Sequence, residues 1–175
     1  MFNIFRKKSG KTKKDTVISS QYLEWRKMIL NVPPQIELKK IPGEVYGMLM
    51  DVGMGDGQGN FLAISIYALH TGEASLKASP GAGVAGLGNV KEVSDMPEKI
   101  LEAGQSLIRL SKPADSLDYP DAGRVHFFFL TVSGIKVYAC SLNELQSGHP
   151  FNDLFNMFTE IKRAADKLIE QQPKT

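Results

Sequence analysis

Ala74-Ser-Leu-Lys-Ala-Ser79-Pro-Gly81-Ala-Gly83-Val-Ala-Gly86-Leu-Gly88 decides between two folds. Gly81, Gly83 and Gly86 have the GxGxxG spacing of a dinucleotide fingerprint, placed after a strand-like run. A genuine fingerprint belongs to a parallel sheet. Its helix begins inside the motif, so that amides and dipole face a pyrophosphate, and an acidic residue about 20 positions later meets the ribose. Neither feature is evident here. Pro97 fits a helix only in its first turn, so the next helix is predicted to start near Ser94 or Asp95. About 20 positions after the glycines the chain reads Ala103-Gly-Gln-Ser-Leu107, inside that helix and without an acid. The glycines then read as a close crossing where side chains would clash. Their amides offer a second reading, as a loop for a phosphate-bearing ligand with Ser79 and Asn89 on its flanks. Gly81, Gly83, Gly86 and Gly88 are the candidate ligand-binding residues.

Outward from the glycines the pattern is antiparallel. Val45 to Val52 is apolar on both alternating faces, as a central covered strand would be. Gly53, Gly55, Gly57 and Gly59 then make a hairpin tip. Phe61 to Leu69 returns with Leu62, Ile64, Ile66 and Ala68 on one face, and His70-Thr71-Gly72 turns the chain. From Glu73 to Ser79 apolar and polar residues alternate, with Lys77 and Glu73 suited to an edge. Arg124 to Val132 and Ile135 to Leu142 form a second hairpin about Ser133-Gly134. Helices are predicted over 17–30, ended by Pro33-Pro34, over 92–111, and from Pro150 to about Gln171. The expected fold is α+β: a single five-stranded antiparallel sheet with three helices packed on it, in the order α-β-β-β-α-β-β-α.

Charge divides the chain. The 175 residues carry a net +2, with 42% hydrophobic and 23% charged residues. Arg6, Lys7, Lys8, Lys11, Lys13 and Lys14 all precede the first acid. Without those six, 15 basic residues face 19 acidic ones, a net of −4. We therefore expect a basic flexible tail over 1–16 and a single α+β domain over 17–172. The mildly acidic body does not suit nucleic acid. The tail, with Phe2, Ile4 and Phe5 beside its cations, suits weak contact with an anionic membrane, at about 1 kcal/mol per cation. It lacks the pattern of a secretory signal, and no apolar run reaches the ~20 residues of a membrane span. One cysteine, Cys140, excludes an internal disulfide.

Chemical motifs are few. Asp51 and Asp56 flank the first glycine loop, but the position eleven after each, where an EF-hand needs Glu, holds Leu62 or Tyr67. Both aspartates read as turn formers. His70, His126 and His149 are too scattered to make a metal motif with Cys140. His70 is expected at a turn, His126 on the strand face opposite Phe127, and His149 near the start of the last helix. No serine or cysteine sits in a nucleophile elbow. Asp115, Asp118 and Asp121, with Tyr119-Pro120, form an acidic loop that reads first as simply solvated, with contact to a partner as the second reading.

Asp51-Val-Gly53-Met, His70-Thr-Gly72-Glu-Ala-Ser75-Leu, the spaced glycines Gly81 to Gly88 and Phe127-Phe-Phe-Leu-Thr131-x-x-Gly134 resemble a family of small uncharacterised bacterial α/β proteins, over roughly residues 45–170. The resemblance implies no activity. The element order is similar to profilin-like and roadblock/longin-like sheets, a likeness of fold alone. Together these readings lead us to expect a non-enzymatic, cytoplasmic protein-binding or assembly module that self-associates, without metal or cofactor. Two alternatives are kept. One is a sensor or enzyme taking a phosphate ligand on the Gly81–Gly88 loop; the other is an adaptor tethered peripherally to the inner membrane by its tail.

Overall fold

The computed structural model describes residues 18–34, 43–55, 60–146 and 148–171. The basic tail lies outside them, as do Asp56, Gly57 and Gly59. Among the described residues the fold is α+β, with three α-helices and one antiparallel sheet.

The sheet has seven strands, not five: β1 (Val45–Gly55), β2 (Phe61–Leu69), β3 (Ala74–Ala78), β4 (Gly83–Val84), β5 (Lys112–Pro113), β6 (Arg124–Thr131) and β7 (Gly134–Ser141). Their order across the sheet is β4-β3-β2-β1-β6-β7-β5. This corrects the five-stranded expectation, and the profilin-like and roadblock/longin-like likeness drawn from it goes with it. The two additional strands are two residues long and carry no period of their own. β4 pairs with Leu76 and Lys77, and β5 pairs with Val137 and Lys136. Each closes one edge of the sheet, and Lys112-Pro113 resists a further strand because Pro113 has no amide to give. The β6–β7 turn falls on Val132-Ser133, one residue earlier than expected, with Thr131 opposite Gly134.

Both faces of β1 are covered. Met48, Met50 and Val52 face one core, while Leu49, Asp51 and Gly53 face the other; a bulge between Val45 and Gly47 reverses the alternation at the strand's start. The larger core lies under α2 (Met96–Leu107) and α3 (Asn152–Gln171). Phe127 and Phe129 point into it and pack on Phe151, and Tyr138 stacks on the same ring at 3.9 Å. α2 comes close to β1 because Gly104 leaves room for the Met48 side chain. Its Pro97 sits in the first turn after Asp95, as the proline demands, and the chain continues as a 3-10 turn over Ile108–Leu110.

The opposite face carries α1 (Ser20–Leu30), capped by the Ser19 hydroxyl on the Tyr22 amide. Ile29 and Leu30 pack on Tyr46, Leu49, Phe128 and Leu130, and Trp25 lies 5.6 Å from the Tyr67 ring. The arrangement is a three-layer sandwich of α1, sheet, and α2 with α3.

Candidate functional site

Under α1 runs a row of polar side chains. Ser65, Asp51 and His126 stand directly opposite one another on β2, β1 and β6. Period-two alternation turns all three toward α1. Asp51 and Ser65 are wholly buried. The helix supplies their partners from successive turns: Tyr22 and Arg26, four apart, share one face. Arg26 Nε donates to Asp51 Oδ2 at 2.7 Å, and Nη2 lies 2.6 Å from the same oxygen, outside hydrogen-bonding alignment. The Ser65 hydroxyl donates to Asp51 Oδ1 and also meets the Tyr22 hydroxyl at 2.7 Å. Arg26 lies over the Phe128 ring at 5.3 Å, and its Nη1 donates to the Leu117 carbonyl.

Burial pushes the Asp51 carboxyl above its ordinary range, while the Arg26 guanidinium and Ser65 hydroxyl pull it back. Tyr22 is raised by burial and by the Asp51 charge. His126 is lowered, chiefly by burial, and its Nδ1 is buried without a hydrogen-bond partner among the described residues. Serine, aspartate and histidine are thus adjacent but wired wrongly for nucleophilic catalysis. Ser65 donates to the carboxylate itself, with no imidazole between them to take its proton. The cluster acts as a clamp joining helix, sheet and loop. Asp51, expected at a turn, is in fact the buried centre of β1; the flanking glycines misled the reading.

The clamp holds the acidic loop, residues 114–123, against the sheet. Ala114 donates to Ile135 O at 3.0 Å, Leu117 is tied to Arg26, and Gly123 donates to Gly53 O at 2.8 Å. Gly53 is needed here: a Cβ would strike the carbonyls of Pro120 and Asp121. Pro120 is buried, and the Tyr119 ring packs 5.7 Å from Phe61. Anchored along its length, the loop forms a fixed ridge. Leu117 and Tyr119 are each 36% exposed, beside the exposed Asp115, Asp118 and Asp121. Leu23, 43% exposed, lies one turn before Arg26 on α1.

The glycine run lies elsewhere. Gly81 and Gly86 have φ of +104° and +72°, which other residues rarely adopt. Gly83 forms β4, and a Cβ there would sit 2.6 Å from Leu76 O. Gly88 lies in a 3-10 turn over Leu87–Asn89 pressed on the Gly72 carbonyl. The amides of Gly81, Asn89 and Val90 are bound to Ala78 O, Gly86 O and Leu87 O. Ser79 is buried, its hydroxyl accepting from the Ala63 amide at 3.1 Å. α2 begins only at Met96, so no long helix starts within the motif.

The histidines are apart. His70 is at the β2–β3 turn beside Tyr46 O. His149 Nδ1 accepts from the Phe151 amide just before α3, and Nε2 lies 3.2 Å from the Tyr138 hydroxyl. Cys140 is buried, which raises its thiol to about 11. Among the described residues no cluster of His, Cys, Asp and Glu could hold a metal, and no helix is long and apolar enough to cross a membrane. Compared with protein-family models, curated proteins and solved structures, the chain finds no match.

Proposed function

We propose that the chain is a non-enzymatic binding and assembly module, and that it self-associates through the ridge beside α1. The observation that carries this reading is the fixed exposure of Leu117 and Tyr119 on a loop anchored at several points. A rigid loop gives up little conformational freedom when bound, and exposed apolar side chains on such a support are what an interface uses. The sheet edges suit this task less well. β4 and β5 blunt them, so association by strand addition is disfavoured and a side-chain surface is favoured. The buried clamp has the complementary role of holding the ridge in shape.

Sedimentation velocity over a concentration series tests the reading. The full chain should show a reversible dimer, weakened about tenfold or more by Leu117→Asp or Tyr119→Ser, the scale of one interface anchor. A strict monomer at every concentration, or a dimer indifferent to both substitutions, refutes it.

A further inference from the structure

We propose that the ridge is covered in the resting chain by that chain's own N-terminal basic segment, residues 1–14. This rests on reading the ridge as a binding surface. Two chemistries coincide there. Asp115, Asp118 and Asp121 are exposed, and the Lys112–Asp115 pair, 3.3 Å apart and exposed at both ends, is weakly neutralising. Between the carboxylates stand apolar Leu117 and Tyr119. The fitting occupant carries cations next to bulky apolar groups. Met1-Phe2-Asn-Ile4-Phe5-Arg6-Lys7-Lys8 is such a segment, with three more lysines by position 14 and no acid.

Covalent geometry places that segment in reach. It joins α1 at Ser19, whose amide donates to Ser79 O at 2.9 Å, and α1 carries Arg26, which holds the ridge. The chain between Phe5 and Ser19 extends to at most ~46 Å, more than the two or so turns of helix that separate Ser19 from Arg26. Attachment also favours this copy over a partner's, because a short link holds the segment at millimolar effective concentration. The segment therefore competes with self-association and must be displaced before two ridges meet.

The test uses full chains: the unmodified protein, Lys7→Glu/Lys8→Glu/Lys11→Glu/Lys13→Glu, and Asp115→Asn/Asp118→Asn/Asp121→Asn. Amide hydrogen exchange is read over residues 115–121 at a dilution where sedimentation velocity shows every chain monomeric, and dimerisation is followed separately at higher concentration. In the lysine variant, and in the unmodified chain at ~0.5 M salt where attraction is screened, ridge exchange should rise about fivefold, the change for a contact made four times in five. The lysine variant should also dimerise more tightly. In the Asn variant exchange should be fast at low and high salt alike. Equal exchange in all three chains overturns the inference. If the chains still dimerise, the self-association reading survives its failure; if exchange responds but no chain dimerises, the cover stands and that reading fails. Mixing with phosphatidylserine vesicles supplies the last arm. Binding lost in the lysine variant, with ridge exchange unchanged, assigns the segment to membranes and overturns the inference.

Discussion

Changing Arg26 to Met tests the clamp most directly. The substitution keeps much of the side-chain length and removes the charge. Asp51, wholly buried, would lose the Nε bond at 2.7 Å and keep only the Ser65 hydroxyl. Leu117 O would lose its donor and Phe128 its overlying guanidinium. Breaking a buried ion pair from one side costs about 3–5 kcal/mol, because the other charge remains buried. In a chain of this size that is roughly 6–20 °C of melting temperature. Asp51→Asn should cost about as much, because Arg26 and Ser65 donate to different carboxylate oxygens, an amide keeps only one of them, and the Arg26 charge is left buried without its counter-ion. Arg26→Met/Asp51→Val should recover most of the loss, because an apolar pair of similar size avoids the desolvation of both charges. With Asp51→Val as the second single variant, urea unfolding of the parent, Arg26→Met, Asp51→Val and the double gives the coupling directly, expected at about 2 kcal/mol or more. Limited proteolysis adds a second readout: the double variant should be stable yet cut faster within 114–123, for Leu117 O stays unanchored. Single variants within 1 kcal/mol of the parent, with an additive double, would refute the clamp.

Three further outcomes follow from close approaches and from burial. Gly53→Val drives a side chain into the Pro120 and Asp121 carbonyls, so it should cost about 2–3 kcal/mol and open the 114–123 loop to protease; a loop as resistant as the parent's counts against the ridge's rigidity. Gly88→Ala meets the Gly72 carbonyl, and Gly83→Val the Leu76 carbonyl. Both should lower the thermal midpoint by several degrees without any ligand, so the phosphate-ligand alternative is better tested by thermal shift of the unmodified chain against nucleotides and phosphometabolites. His126 binds protons less readily folded than unfolded, because burial lowers it. The unfolded chain then takes up more protons below about pH 6.5, and stability should fall as pH drops from there through the depressed folded value. His126→Phe should flatten that part of the stability profile in urea titrations, and an unchanged slope would exclude His126 as its source.

The five long strands were legible because each is a run of alternating or fully apolar residues bounded by turn chemistry. β4 and β5 were not, since two residues cannot show a period. Gly83-Val84 is a strand because β3 offers an unfilled edge, and Lys112-Pro113 because β7 does. Nothing within either dipeptide says so, and Pro113 argues locally against it. The ridge was half legible: its three aspartates announce an exposed loop, but its anchoring by Gly53 and Arg26 depends on distant partners.

The clamp is the instructive miss, for both halves of it were readable. Val45 to Val52 is apolar on both faces save at Asp51, so a covered strand there places a carboxylate in the core. A buried carboxylate needs a cation or several donors. Arg26 interrupts the stripe of Tyr22, Ile29 and Leu30 in the same way, a charge on the one face of α1 that packs inward. Two violations of the apolar pattern, one on each of two facing elements, predict each other. The proximity of Asp51 to the glycines at 53 and 55 gave a cheaper local explanation, and that explanation hid the pairing. In a sequence with so few chemical motifs, the polar residue that breaks a buried pattern is therefore a better guide to what holds the surface in shape than the glycine run that imitates a known one.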